Sequence, residues 1–565
     1  MKKKITLTLV CLLLAGAVFA GGAQEEPAEA GGGSRVNAWG VELPADALPA
    51  EQQVLVLPSQ SGKHMDLSGH FYEADKSGGG TFMFESMLYL DENSKVLPGA
   101  AESWEMDGDK WTFNLREDAV WSDGTPVTAQ DFEFALKRAL DPATGNNWVW
   151  YYSDIKNYSE VTGGEMAPED LPVYAADDYT LVVETNGEVP YFDQIMAYPS
   201  SIPIPRHMYE KHGDAWATKA ETCLSNGPWK LSKYTPGVEI ELVPNELYNG
   251  QHKPYIERFI FKPGDGVSDF PAYQAGDVDA LFADQDTTPI SPANYRFVSK
   301  DPELSKELYA YPYFMTRYVF FDINVEPWDD IRVREAITRA LDGQAMIDVI
   351  YDGLGQRAYG MLPPGFPGYE AGKNDVYQEL DIPKAQKLLA DAGYPGGKGF
   401  PKVELWVKTY EDALPKTAEM VQEMLKKNLG IAIEIRPVES KFFNSSFAEG
   451  AVDFGIQNWQ YDYVDPSNFL NVWHPDLGRH DDWNNAEFNE LVIKAQAWPD
   501  PEERIALYAE ADSVLSSDYG AGFLYHSGQA QMWKPYIKGL SVDMLGNERV
   551  PYYFLGMHSL YKIAE

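Results

Sequence analysis

The chain is poor in cysteine. It has two in 565 residues, Cys11 and Cys223. Cys11 lies in an apolar N-terminal run that reads as an export signal, so Cys223 is left without a partner and no intramolecular disulfide is expected. Positive charge is also scarce: 46 Lys and Arg stand against 86 Asp and Glu, a formal net charge of −40. Such a field repels nucleic acid and anionic membrane surfaces, so neither is expected as a partner. Several reactive patterns are missing. Gly396-Gly397-Lys398-Gly399 lacks the spacing and the Ser or Thr of a phosphate-binding loop. No G-x-S-x-G, H-E-x-x-H or C-x-x-C occurs. The nine histidines are scattered. His64 and His70 lie six apart, as do His474 and His480, a spacing that does not put two ligands on one helix face. No metal and no cofactor is expected.

Long apolar runs are confined to the N-terminus. Lys2, Lys3 and Lys4 precede the apolar stretch Ile5 to Phe19, and Val18-Phe19-Ala20 offers a cleavage site after Ala20. The run is too short to span a bilayer. A lipidated cysteine needs a small residue before it, and Cys11 follows Val10. Residues 1–20 are therefore expected to be a signal peptide, and the mature chain an exported, periplasmic or otherwise extracytoplasmic protein of net charge −43. Residues 21–34 (GGAQEEPAEAGGGS) have almost nothing to bury and read as a flexible leader.

The remainder exceeds 500 residues, enough for several domains. Aromatic residues are abundant, with 15 Trp, 34 Tyr and 26 Phe, which suits a large core and a stacking or apolar ligand site. In WEMDGDKWTFNLR (Trp104 to Arg116), alternating apolar residues flank Asp107-Gly108 and predict a hairpin. Thr128, with Asp131 three residues on, predicts a helix start, followed by Phe132, Leu136 and Ala139 at helical spacing. A second helical stripe runs through Ala385, Leu388, Leu389 and Ala392 to a stop at Gly393. Val403, Leu405 and Val407 alternate as a strand. Ala418, Val421, Leu425 and Leu429 form a helical stripe ended by Gly430, and Ile431, Ile433 and Ile435 alternate again. This β-α-β unit argues for an α/β protein.

The most informative stretch is Asn458 to Leu470, NWQYDYVDPSNFL. It sets Trp459, Tyr461 and Tyr463 around Asp462. A carboxylate among aromatic rings suits a bound cation: the rings offer negative π faces, and the charge-assisted hydrogen bond strengthens as water leaves. A primary ammonium group is the natural guest.

Several segments together resemble the extracytoplasmic oligopeptide-binding proteins of ABC importers, the family 5 solute-binding proteins. PGAAESW (Pro98 to Trp104) and WTFNLREDAVWSDGTPVTAQDF (Trp111 to Phe132) carry the resemblance most specifically. SNGPWKL (Ser225 to Leu231), IRVREAITRALD (Ile331 to Asp342), AQKLLADAGYP (Ala385 to Pro395) and NWQYDYVDPSNFL extend it. The resemblance implies an α/β two-lobe periplasmic-binding-protein fold with a hinge and an additional domain inserted in the first lobe. Lobe I would comprise 35–84, 203–313 and 534–565, the inserted domain 85–202, and lobe II 314–533. It implies an oligopeptide ligand held by β-augmentation, a membrane permease as partner, a monomer, and no enzymatic activity. Asp462 falls on the carboxylate that pairs with the peptide's α-ammonium, and Trp459 on the Trp three residues before it. Asn458 and Gln460 flank that Trp and would offer backbone hydrogen bonds. Trp148 falls near an aromatic lining residue of the inserted domain.

The chain departs from the family in two places. Some members carry an Arg three residues before the Trp for the ligand's far carboxylate; this chain has Ile456, leaving Arg317 as the candidate substitute. Around Tyr72 to Gly80 the family's Leu-Asp-Pro is absent, so no contact is assigned there. The main alternative ligand on the same fold is an oligosaccharide, which also uses Trp stacking and acidic acceptors but has no cation for Asp462. Dipeptide binding and a hydrolase using Asp462 and Asp465 are further alternatives.

Overall fold

The structure, a computed structural model, describes residues 33–59, 64–70, 74, 80–146, 148–264, 268–282, 290–409, 413–475, 477, 482–498, 500–542, 545–549 and 557–564. The expected signal with Cys11, nearly all of the leader, His480 and most of Tyr72 to Gly80 lie outside these residues. Among the described residues no helix is long and apolar enough to cross a membrane.

The first strand, β1 (Val54–Ser59), begins a four-stranded sheet that the chain completes much later. Between lies a compact stretch with its own antiparallel sheet: β2 (Ala101–Asp107), β3 (Lys110–Leu115), β4 (Val173–Asp177) and β5 (Thr180–Glu184), in the order β2-β3-β5-β4. β2 and β3 form the hairpin read from the alternation. Met106 faces Trp111 and Asp107 faces Lys110, while Gly108 adopts φ 62°, a left-handed value that glycine meets without strain. Trp111, Phe113 and Leu115 are buried, but Met106 is exposed because β2 is the edge strand. Helix α1 (Ala129–Leu140) starts on the capping box of Thr128 and Asp131 and buries Phe132, Leu136 and Ala139. The first sheet then closes with β6 (Trp229–Thr235), β7 (Glu239–Pro244) and β8 (Arg258–Pro263), in the order β1-β8-β7-β6.

The largest sheet among the described residues is seven-stranded and mixed. Its members are β9 (Ala280–Leu281), β10 (Leu308–Phe321), β11 (Gly355–Arg357), β12 (Glu404–Lys408), β13 (Glu434–Val438), β14 (Phe454–Gln460) and β15 (Ala521–Trp533). The order is β9-β15-β10-β14-β12-β13, with β11 also on β15. Helices α2 (Ile382–Asp391) and α3 (Ala413–Leu429) pack on one face and α4 (Pro501–Ser517) on the other. β12, α3 and β13 are the β-α-β unit, with parallel strands and Gly430 at φ 74°. The apolar alternation anticipated a strand from Ile431, yet β13 starts at Glu434. Ile431 and Ile433 are buried in the approach to the strand rather than paired in it.

Strands β10 and β15 are 14 and 13 residues long and pair with each other in this sheet. At one end Leu308 to Pro312 pair with Met532 to Gly528, next to β9, whose neighbour Asp279 is bonded to Val56 of β1. At the other end alternate residues of β10 feed two separate cores. Val319 and Phe321 pack with the helices of one face; Tyr318 and Phe320 join Trp473 and Phe447 on the other. The ladder shifts register between Pro312 and Thr316 and again between Arg317 and Tyr318.

Candidate functional site

The site is built at one margin of the seven-stranded sheet. β14 pairs with β10 along its whole length, from Met315↔Gln460 to Phe321↔Phe454. On its other side it meets β12 only at Trp406↔Gly455. Asn458, Trp459 and Gln460 thus have no strand beyond them among the described residues, and their backbone forms an open edge. A strand edge of this kind is a template for an added strand.

The chain turns directly after this edge. Asn468 ties the turn together: its Oδ1 accepts from Trp459 Nε1 at 3.1 Å and from the Asp462 amide at 3.2 Å, and its Nδ2 donates to Asp462 Oδ2 at 3.2 Å. The Trp459 ring and the Asp462 carboxylate are therefore oriented by one amide. Asp462 is 7% exposed, while Asn458, Trp459 and Gln460 are half-buried. Asn458 donates to Met315 Sδ at 3.4 Å. Tyr461 packs on Tyr313 and Phe314, and its amide donates to the Phe314 carbonyl at 3.0 Å.

The stretch containing β2 to β5 reaches across to this turn. Trp150 meets Trp459 edge to face, with centroids 5.6 Å apart. Tyr191 stacks on Tyr463 at 5.4 Å, and Gln194 Oε1 accepts from the Val464 amide at 3.1 Å. Trp148 is buried, 7% exposed, against Trp150 and Tyr198, one ring further from Trp459 than Trp150 is. Sequence reasoning singled out Trp148 and missed Trp150. The run Trp148-Val149-Trp150-Tyr151-Tyr152 offers four aromatic rings, and only the packing shows which one faces Trp459.

Asp465 makes a two-pronged ion pair with Arg504 at 2.6 and 2.8 Å, and Arg504 lies over the rings of Tyr191 and Tyr508. Asp462 accepts from the amide of Asn468. Burial dominates the titration of the surroundings. It pushes Tyr151 and Tyr463 above the ordinary phenol range, with Asp462 adding to the effect at Tyr151. It also raises Asp154 and Asp193, each to about 6.

Ile456, where some relatives carry Arg, is fully buried against Val319 in one of the lobe's cores. Arg317 is fully buried as well, opposite Asn458 in register and 5.8 Å from the Tyr525 ring. The fold also brings together His64, Asp66 and His70, which the sequence spacing kept apart, with ligand atoms within 4.8 Å. The arrangement suits a cation that is already there: Arg138 Nη1 lies 2.9 Å from Asp66 Oδ2. His64 Nδ1 accepts from the Asp66 amide, which leaves Nε2 to donate to the Asp214 carbonyl at 2.7 Å. These groups form a hydrogen-bonded network around Arg138 rather than an open metal site.

Two lobes joined by long strands, with an open strand edge and a buried carboxylate at their meeting point, define a two-lobed solute-binding protein. The profile of the bacterial extracellular solute-binding proteins, family 5 Middle, matches residues 95–478. The chain is 31% identical over 527 residues to the periplasmic oligopeptide-binding protein OppA of Salmonella typhimurium, covering 92% of this chain and 95% of that protein. It is also similar to the murein peptide-binding protein MppA of Escherichia coli, at 29% identity over 471 residues, 82% of this chain and 85% of that protein. Among solved structures, OppA of Haemophilus influenzae in complex with the peptide RPPGFSPFR superposes with a TM-score of 0.70 at 28% identity, covering 91% of this chain and 99% of that one. The chain belongs to the family 5 bacterial extracellular solute-binding proteins.

Proposed function

We propose that this protein is the extracytoplasmic solute-binding component of an ABC importer, that it captures oligopeptides between its lobes, and that it hands them to a membrane permease. The observation that carries this reading is the open backbone edge at Asn458 to Gln460, ending beside the buried Asp462. A peptide added to that edge bonds through its own backbone, whatever its side chains, and its N-terminal ammonium lies at Asp462. Trp459 walls the first residue. Trp148 supports that wall from behind, through Trp150. Lobe I is assigned to 35–84, 203–313 and 534–565, the inserted domain to 85–202 and lobe II to 314–533; closure bends β10 and β15. The protein acts as a monomer in the periplasm or another extracytoplasmic space, after export and cleavage near Gly21. It performs no catalysis: Asp465, the second carboxylate a hydrolase would need, is committed to Arg504.

A double-mutant cycle tests the site. Asp462→Asn is expected to weaken an oligopeptide by about 2–5 kcal/mol, the usual cost of truncating one partner of a buried charge pair. N-acetylation of the peptide should cost the wild type a similar amount and the variant little more. Isothermal titration of both peptides against both proteins gives the coupling. Equal losses on acetylation in the two proteins would remove Asp462 from the ammonium site and favour an oligosaccharide ligand.

A further inference from the structure

Carboxyl groups gather where the stretch containing β2 to β5 meets the turn after β14. Asp465 enters from the turn, bound at both oxygens by Arg504 of α4. Asp154, between β3 and β4, and Asp193, after β5, enter from the facing stretch. Asp154 accepts from the Tyr191 hydroxyl at 3.3 Å, and Asp193 from Trp104 Nε1 at 3.4 Å. Both donors belong to that same stretch. Across the boundary lies Asp465, whose charge acts on both carboxyls. Arg504, Tyr463 and Tyr508 lie within electrostatic reach of Asp154. The boundary is closed by the stack of Tyr191 on Tyr463 and by Gln194, the neighbour of Asp193, which accepts from the Val464 amide.

The charges at this boundary do not balance. Three carboxyls face Arg504, and both prongs of that guanidinium are spent on Asp465. The donors bonded to Asp154 and Asp193 are neutral: a phenol for one, an indole and the Gln194 amide for the other. A carboxyl with neutral donors, little water and a second carboxylate nearby is better tolerated with its proton. Burial is the main cause that lifts both groups to about 6, and Asp465 adds to it. The hydrogen bonds, and Arg504 at Asp154, pull the other way without prevailing.

Much of this environment is supplied from across the boundary. When the two regions part, Asp465 and the rings of Tyr463 and Tyr508 withdraw and water takes their place. Each carboxyl then returns toward the ordinary value of about 4. We propose that bringing the two regions together takes up protons at Asp154 and Asp193, so that the protein holds its ligand more tightly as its surroundings turn acid. This rests on the capture by closure proposed above. The sign follows from linkage. The closed form binds protons more tightly than the open form, so closure gains as pH falls from about 6 toward 4, and the gain is absent above that window. Between pH 7.5 and 5, a group moving from about 4 to about 6 shifts the closing equilibrium by up to about tenfold, and two groups by up to about a hundredfold. Asp462 works in the opposite direction, since protonating it forfeits the pairing with the ammonium.

The double variant Asp154→Asn, Asp193→Asn is fixed in the uncharged form, yet keeps a carbonyl oxygen for Tyr191 and Trp104. The measurement is the release rate of an oligopeptide labelled at its C-terminus, by stopped flow on the full chain at pH 7.5 and pH 5. The wild type is expected to release the peptide about 10- to 100-fold more slowly at pH 5. The double variant should release it slowly at both pH values, matching at pH 7.5 the wild type at pH 5. Each single variant should give about half of the effect on a logarithmic scale, and the two carry the same test if the double variant unfolds. An equal response to acid in wild type and variants, or faster release from the variants at pH 7.5, overturns the proposal. Failure of every form to bind the peptide would overturn the strand-edge reading instead. The proton uptake is then judged by small-angle scattering of the ligand-free protein. Compaction of the wild type on acidification, with the double variant compact at both pH values, supports it. Identical behaviour of the two proteins overturns it.

Discussion

Trp150 and Trp459 meet edge to face, their centroids 5.6 Å apart and their planes at 67°. One ring comes from the stretch between β3 and β4, the other from the open edge of β14, so this contact exists only when the two regions are brought together. Edge-to-face pairs contribute about 0.5–1.5 kcal/mol beyond the area they bury. Trp150→Ala is therefore expected to weaken peptide binding by roughly two- to tenfold through the closed state, and to raise the dissociation rate more than it lowers the association rate. Trp148→Phe keeps most of the supporting surface and should cost less than Trp150→Ala. Stopped-flow binding of a labelled peptide measures both.

Asn468 serves Trp459 and Asp462 at once, so its removal should be felt at both. Asn468→Leu leaves the Trp459 indole N–H and the Asp462 amide without their acceptor. Each buried group left unmade costs about 1–3 kcal/mol. The expected outcome is a lower denaturation midpoint together with a loss of peptide affinity. Asn468→Asp keeps the acceptor but sets a second carboxylate against Asp462 Oδ2, now 3.2 Å from the amide nitrogen. Like charges at that distance raise the pKa of one of the pair, so affinity in this variant should depend on pH more steeply across the acidic range than it does in the wild type.

The local elements of this fold are legible in the sequence because their signals are local. The capping box of Thr128 and Asp131, the Asp107-Gly108 turn and the stripe from Ala418 to Leu429 each read within a dozen residues. Asp462 is legible because its aromatic neighbours are adjacent in the chain. β10 is not: in LYAYPYFMTRYVFF the half from Thr316 onward is buried on both faces, so it shows no alternation of apolar and polar residues. The role of Trp150, the partner of Asp465 and the network that joins His64 and Asp66 to Arg138 and Asp214 depend on segments far apart in sequence. No spacing rule brings them together. The late start of β13 shows the converse: alternation marks burial, and burial begins at Ile431 before pairing does.

Arg504 and Asp465 are both buried, and their pair sits beneath the stack of Tyr191 on Tyr463. Removing the cation alone strands a carboxylate in a place already crowded by Asp154. Arg504→Met is expected to destabilise the protein by about 3–5 kcal/mol. Pairing it with Asp465→Leu should recover much of that loss, since a buried pair and an apolar pair of similar volume are often close in stability. Chemical denaturation of the two single variants and the double variant gives the coupling. Additive losses would mean that the pair is not the reason Asp465 is tolerated.

Asp512 in α4 accepts from the Met361 amide at 2.7 Å and from Asn374 Nδ2 at 3.1 Å, and it is 4% exposed. Burial is the main cause that lifts its pKa from 3.8 to about 7, against the hydrogen bonds and Lys373, which pull it down. The sign follows from linkage. A carboxyl whose native pKa lies above its unfolded value binds more protons when folded, so stability falls as pH rises between the two values. The window is therefore about pH 4 to 7, the loss is complete above it, and its size is at most about 4 kcal/mol. Asp512→Asn removes the titration while keeping a carbonyl for the Met361 amide. Rotation of the Asn374 amide would offer its oxygen, which has no partner among the described residues, to the new NH2 group. The variant should match the wild type near pH 4 and exceed it in melting temperature near pH 8. Parallel melting curves for the two proteins across that range would show that Asp512 is ionised throughout and that Met361 is held by a carboxylate.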